Sequence, residues 1–348
     1  MNPVLCAAFL ASNPVTYELG SEAQGHCAFA QAQISGRGIV QGPDAALPTQ
    51  LQFNRMRIEG GLSSGAASAR VAFTEARSAP DGGYLGINGE AYVPELQIAE
   101  ARVALPKLGI TAFAGLIDVP WVLMENQRFG YRIVSKPWVQ TTSVLNRSDA
   151  GVGATWVAPS RTVEVTLMGT TGEGARWRER NAGQSVSLYV SARPLADQDL
   201  RVDLLARQGS VGVASARDHR LGARASYRSP SFGAGASAIR AWGVAGDATR
   251  EPWVLAGWAS ATPGQLPVVV LRGSQLRELQ GGHSSQLLVA GGVAPRDSPW
   301  SVLATAEYLL ATDTASSTPG VDTAAWVVGL QLGVSMRGVF DLDPLIVD

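Results

Sequence analysis

The sequence predicts an all-β fold, a closed antiparallel transmembrane β-barrel of about sixteen strands. Three observations lead there. Runs of roughly ten residues alternate between an apolar parity and a small or polar parity, the mark of a strand with one face in lipid and one in a wet lumen. The links between these runs alternate between short and long. No apolar run approaches the roughly 20 residues that a membrane-crossing helix needs. Yet hydrophobic residues make up 46% of the 348 residues and charged residues only 16%, against about 25% charged in an ordinary soluble domain.

The alternation is read directly from the chain. In 161–170, Val163, Val165 and Leu167 share one face, and Thr162, Glu164 and Thr166 the other. In 184–194, Val186, Leu188, Val190 and Ala192 stand against Ser185, Ser187, Tyr189, Ser191 and Arg193. In 219–228, Leu221, Ala223, Ala225 and Tyr227 oppose Arg220, Arg224, Ser226 and Arg228. The segments 299–310 and 323–336 repeat the pattern, the second with Trp326, Val328, Leu330, Leu332 and Val334 on its apolar parity. A soluble sandwich strand also alternates. Here the polar parity is rich in Gly, Ser and Thr with isolated Arg or Glu, as a watery lumen allows.

Strands are predicted near 28–41, 50–62, 67–77, 96–105, 109–118, 149–158, 161–170, 184–194, 199–208, 219–228, 231–242, 253–261, 265–273, 284–294, 299–311 and 323–336. Short turns carry Pro, Gly or Ser, as at Pro106-Lys107-Leu108, Pro159-Ser160, Ser229-Pro230 and Thr262-Pro263-Gly264. Longer links span 78–95, 119–148, 171–183, 209–218, 243–252, 274–283 and 312–322. Short periplasmic turns alternating with longer outer loops are expected of an outer-membrane barrel.

Composition excludes several functions. The net charge of −1 gives no bulk pull towards nucleic acid. Cys6 and Cys27 form neither a metal spacing nor a disulfide framework. His26, His219 and His283 are scattered. His26-Cys27 lacks further ligands, so no metal or cofactor is expected. Gly151-x-Gly153 lies in a strand with no helix after it and is no nucleotide fingerprint. No catalytic set can be assembled, so the chain does not read as an enzyme. Residues 1–27 contain an apolar run, Val4 to Ala11, without a basic segment before it. They read as a secretory signal lacking its start, as an atypical signal, or as part of the mature chain. The barrel is assigned to 28–336, and 337–348 to a tail or a displaced last strand.

Several segments in order resemble the outer-membrane porins related to phosphate- and polyphosphate-selective porins. They are Gln52-Phe53-Asn54-Arg55-Met56-Arg57-Ile58-Glu59-Gly60, Leu108-Gly109-Ile110 through Gly115-Leu116-Ile117-Asp118-Val119-Pro120, Ser148-Asp149-Ala150-Gly151-Val152-Gly153, Thr171-Gly172-Glu173-Gly174 and Ser191-Ala192-Arg193-Pro194-Leu195. The similarity covers roughly residues 28–200 and fades beyond. It implies a sixteen-stranded barrel, a homotrimer, and a third extracellular loop that folds inward. It does not imply the family's selectivity, which rests on lysine clusters and an arginine ladder. This chain has only Lys136 in the relevant stretch, and it ends Leu345-Ile346-Val347-Asp348 without the usual C-terminal aromatic.

The long link 119–148 is the candidate constriction, since structureless loops of that length are usually functional. Glu125, Arg128, Tyr131, Arg132 and Lys136 are its candidate residues. Arg128, Arg132 and Lys136 recur every four residues, which on a helix lines one face. Strand parity turns Arg55, Arg57, Arg70, Arg102, Arg193, Arg201, Arg207, Arg224 and Arg272 inward, with Glu59, Glu100, Glu164, Asp203 and Glu307. The expectation is a passive porin of a Gram-negative outer membrane, in contact with its lipid, passing small hydrophilic solutes and ions with weak anion preference. The alternative is a barrel with an occluded lumen acting as a structural or adhesion scaffold. A secreted soluble β-rich protein is a third reading, favoured if the apolar parity lies buried against a second sheet.

Overall fold

A computed structural model describes residues 26–41, 50–77, 92–131, 134–172, 184–195, 199–211, 216–244, 247–262, 267–278, 282–293, 300–311 and 325–341. The strands in chain order are β1 (His26–Gln41), β2 (Gln50–Ser64), β3 (Ala67–Arg77), β4 (Tyr92–Leu105), β5 (Ile110–Asp118), β6 (Ser148–Val157), β7 (Val163–Thr170), β8 (Ser185–Ala192) and β9 (Asp199–Gln208). A two-residue hairpin follows, β10 (Ser210–Val211) and β11 (Ala216–Arg217). Then come β12 (His219–Arg228), β13 (Phe232–Trp242), β14 (Trp253–Ala261), β15 (Pro267–Arg277), β16 (His283–Val293), β17 (Trp300–Ala311) and β18 (Ala325–Asp341). Two helices, α1 (Pro120–Phe129) and α2 (Trp138–Thr141), lie between β5 and β6.

All strands but β10 and β11 form one closed antiparallel barrel in the order β1-β18-β17-β16-β15-β14-β13-β12-β9-β8-β7-β6-β5-β4-β3-β2. Closure is made by β1 against β18, from Cys27↔Asp341 to Gln41↔Val327. The last strand therefore continues to Asp341, past the boundary drawn at 336, and residues 337–341 are barrel rather than tail. Likewise β4 begins at Tyr92 and β15 runs to Arg277, so two of the links are shorter than the turn residues suggested.

The two faces of the wall are told apart by their contacts. Arg70 of β3 reaches Asp118 of β5 at 2.9 Å, over the intervening β4. Such contacts between non-adjacent strands run through the interior of a closed barrel, so this buried parity faces inward. The opposite parity is apolar and exposed: Leu167, Val186, Leu188, Leu204, Leu221, Leu271, Val328, Leu330 and Leu332 all lie on it. Val163, Val165 and Val190 are half-exposed on the same parity, and the side chain of Trp326 lies outside the described residues. Exposed aromatics stand near strand ends. Trp156, Phe232 and Trp300 sit at the rim of the short turns, and Trp253 and Tyr308 towards the rim of the long links. No second sheet covers this band among the described residues. A lipid-facing wall bounded by two aromatic girdles has this form.

Two glycines fit the segments singled out in the sequence. Gly115 has φ +120°, and a Cβ there would stand 2.1 Å from the carbonyl oxygen of Ala99. It permits the close approach of β5 to β4 just before the chain leaves the wall. Gly153 leaves room for the ring of its cross-strand partner Phe113, which a Cβ would meet at 2.7 Å.

Candidate functional site

The segment 119–147 connects β5 to β6 and holds most of the buried aromatic residues. Pro120 opens α1, where its missing N–H is no loss. Gly130 closes it in the left-handed conformation, its N–H donating to the carbonyl of Asn126. The helix thus ends at Phe129. Arg128 and Lys136 do not share a helical face, contrary to the four-residue spacing, because Gly130 terminates the helix after Phe129. Val119 N–H donates to Arg147 O at 2.8 Å and closes the base of the segment.

The apolar side chains of the segment pack on the inward parity of the wall. Trp121, Val122, Trp138, Val139, Val144 and Leu145 cluster with Met168, Tyr189, Leu205, Ile239, Val254 and Leu276. Phe129 and Val134 cluster with Trp258, Val268, Val270, Leu288, Ala290 and Leu303. The inward face of β13 to β17 is apolar where the segment packs and polar elsewhere, with Ser260, Arg272, Ser274, Ser284, Gln286 and Thr305 buried on it. On that side Gly, Ser and Thr share the inward parity with apolar side chains that take a protein partner rather than water.

Polar contacts fix the backbone of the segment. Three inward arginines of β12 donate to main-chain carbonyls: Arg220 Nε to Val144 at 2.8 Å, Arg224 to Trp121 at 3.0 Å, and Arg228 to Gln127 at 2.9 Å. Arg224 also pairs with Asp203 at 2.8 Å, and its guanidinium lies 4.6 Å from the centre of the Trp121 ring. Among the constriction candidates, Glu125 is buried and accepts from Arg272 at 2.9 Å. Arg128 is buried and donates to Asp199 and to Ser226 Oγ. Tyr131 is half-buried, edge-on to Phe129 at 5.9 Å. Lys136 is exposed, and Arg132 lies outside the described residues.

The wall candidates fall into separate groups. Arg57 pairs with Glu59 at 2.8 Å and donates to Gln97 at 2.6 Å. Arg70 joins Glu59, Glu100 and Asp118, and Arg102 pairs with Glu100 at 2.7 Å. Arg147 stands 3.5 Å from Asp118. Burial, and then the positive charge of Arg57, push the Arg147 guanidinium down to about 10, still cationic at neutral pH. Arg207 and Arg220 both pair with Asp218, at 2.7 and 2.6 Å. The side chain of Arg55 is outside the described residues. Glu164, Arg193 and Arg201 lie on the adjacent strands β7 to β9 and the turn after β8.

Arg57, Arg201, Arg207, Arg224 and Arg272 lie buried on the parity that the alternation turns inward. Sequence parity missed Asp199, Asp218 and the carbonyls of 121, 127 and 144 as arginine partners, since no periodicity reports which backbone atoms a folded link presents. Asp149 was quoted only as part of a motif. Its carboxylate accepts from Thr171 Oγ1 at 3.0 Å and from Gly172 N at 3.1 Å, which ties the Ser148–Gly153 and Thr171-Gly172 segments together. Among the described residues no group of three or more His, Cys, Asp or Glu side chains is placed to hold a metal ion.

No family model matches the chain, and no curated protein matches it. Solved structures do. An anion-selective porin from Comamonas acidovorans superposes with a TM-score of 0.67 at 10% identity, over 89% of this chain and 100% of that one. A trimer form of OmpT, an outer membrane protein of Vibrio cholerae, superposes at 0.60 with 13% identity, over 90% and 100%. Pseudomonas putida OprB superposes at 0.57 with 11% identity, over 90% and 94%. At these identities the likeness is one of fold: the sixteen-stranded barrel of outer-membrane porins and channels.

Proposed function

We propose that this chain is a non-enzymatic channel of a Gram-negative outer membrane, set in its lipid and passing small hydrophilic solutes and ions. The observation that carries the reading is the division of one closed wall into an exposed apolar band and an inward parity bearing Arg, Glu and Asp. Only a membrane rewards that inversion of a soluble fold. The porin folds of the similar structures support it, and the trimer form among them supports a homotrimer as the assembly. The finer relation to phosphate-selective porins rests on the ordered motifs of 28–200 alone.

The segment 119–147 is read as a constriction loop lying in the bore. Glu125 follows Asp118 by a single helix, yet it meets Arg272 of β15. Seven barrel strands separate β5 from β15 on either side of the ring, so this contact spans the barrel. Confined charges near the narrowest point bias which ions pass. With Arg128 facing Asp199, the preference for anions is weak. Purified protein in planar bilayers tests the reading. Stepwise conductance, with heat-modifiable migration and recovery in the outer-membrane fraction, is the expected result; a folded barrel without conductance overturns it.

One observation favours the alternative of an occluded scaffold. The apolar side chains of 119–131 and 134–145 pack against inward residues of β7 to β9 and of β13 to β17. Under that reading, removing 121–145 turns a silent barrel into a conducting one. Under the channel reading the same deletion only enlarges an existing current.

A further inference from the structure

On the β7–β9 wall, two ionisable side chains are buried without a hydrogen bond. Arg201 of β9 is 3% exposed, and its Nε is buried without an acceptor. Among the described residues its guanidinium makes no hydrogen bond and no ion pair. Glu164 of β7 is also buried, and its carboxylate has no partner among the described residues either. Burying an ionisable group without compensation is costly, so two such groups on nearby strands mark a candidate place for a ligand that satisfies both.

The strand register defines the arrangement. Glu164 opposes Ser191, Ser191 opposes Asp203, and Asp203 opposes Arg224, forming one row across the wall. In the next row towards the short-turn rim, Arg201 opposes Ser226. Arg193 follows the Ala192↔Val202 pair and so stands beside Arg201. The rows are about 7 Å apart along the strands. The charged side chains around Arg201 in the register are Arg193 beside it, Asp203 two residues on, Glu164 two strands away, and Arg128, which donates to the facing Ser226. Arg128 is taken by Asp199 and Asp203 by Arg224. What remains is a basic pair, Arg193 and Arg201, one row from an acid, Glu164. A small cavity under α1 is lined by Glu164, Ser191 and Asp203, with Arg193 and Arg201 outside it.

We propose that Glu164, Arg193 and Arg201 form a subsite for a small zwitterion of the α-amino acid type. Its carboxylate sits on Arg193 and Arg201 and its ammonium on Glu164. A lone anion would satisfy the arginines and leave Glu164 uncompensated; a lone cation would do the reverse. Hydrogen bonds of about 2.8 Å at each end of an amino acid give a reach comparable to the spacing of the rows. The subsite gives the channel reading a solute class and rests on that reading for its role in transport.

The test uses the full chain, folded as judged by heat-modifiable migration, with L-alanine, acetate and ethylammonium as probes at pH 7. Saturation-transfer NMR in detergent reads binding without requiring conduction, and planar bilayers read current block. Alanine should bind saturably, with acetate and ethylammonium about tenfold weaker, and E164Q and R201Q should each weaken alanine about tenfold. R193Q, at a half-exposed position, serves if R201Q does not fold. Acetate binding as well as alanine, or E164Q leaving alanine binding unchanged, would overturn the proposal in favour of a plain anion site. Current without alanine binding removes the subsite and leaves the channel. Alanine binding without current keeps the subsite and removes the channel.

Discussion

Glu125 and Arg272 meet at 2.9 Å in the space between two apolar clusters, and the guanidinium is 1% exposed. The contact uses one carboxylate oxygen and one guanidinium nitrogen. Glu125 Oε2, Arg272 Nε and Arg272 Nη1 are buried without partners. Phe129 stacks near the same guanidinium at 5.1 Å. This is a single polar joint in an otherwise apolar docking of α1 on β15.

Breaking that joint from one side leaves the other charge buried alone. Arg272→Gln or Glu125→Gln should each destabilise the barrel by about 3–5 kcal/mol. The double variant should be less damaged than the two single losses combined. Equilibrium unfolding in urea from lipid vesicles, arranged as a double-mutant cycle, reads this directly. Additive losses would mean that the pair is not coupled.

The outward band makes a depth-dependent prediction. Leu204, near the middle of β9, is exposed on the apolar face. Leu204→Arg should cost about 2–4 kcal/mol when folded into a bilayer. The same change at Leu195, in the short turn beyond β8, should cost close to nothing. Equal costs at the two positions would contradict a lipid-facing band.

Gly115 allows neither a side chain nor a change of φ without strain. Gly115→Ala would push a Cβ into the carbonyl of Ala99 and hold a non-glycine residue at φ +120°. A destabilisation of about 1–3 kcal/mol follows, visible as a lower temperature of conversion from the folded to the unfolded gel band. An unshifted conversion would show that the backbone relaxes there freely.

Selectivity should respond to Arg128 and Asp199 in opposite senses. Arg128→Ala exposes the Asp199 carboxylate and should lower anion-to-cation permeability; Asp199→Asn should raise it. The reversal potential under a salt gradient measures both. An additional Arg132→Ala change should push in the same direction as Arg128→Ala. Unchanged potentials in all three would place selectivity elsewhere than in 119–147.

Much of the barrel is legible from period-two alternation, because a wall between lipid and lumen must sort its side chains by parity. Leu221, Ala223 and Ala225 against Arg220, Arg224 and Ser226 gave β12 its two faces, and those faces are the observed ones. Alternation gives no faces where both parities are apolar, although the strand is still read at 265–273 and Arg272 is turned inward. Val268, Val269, Val270 and Leu271 show no alternation, since Val268 and Val270 pack on Phe129 and Val134 while their neighbours face outward. The site was legible in the same partial way. Parity turns Arg224 inward, but only the folded segment shows that its donors go to Asp203 and to the carbonyl of Trp121 rather than to water. Arg128 and Glu125 were visible as charges in a long link; Asp199 and Arg272, their partners, lie 71 and 147 residues away in sequence.

The double-sided apolar run of β15 has a consequence for the chain before it is folded. Val268 to Leu271 is an uncharged run of three β-branched valines and a leucine with no polar residue on either parity, closed off by Pro267 and Arg272. Such windows are the ones that stick to copies of themselves when exposed to water, and a flanking proline and charge are the residues that restrain them. Arg272 therefore has a second task, as a gatekeeper against aggregation, and replacing it with an apolar residue that fits the folded core would lengthen the adhesive run in every unfolded molecule.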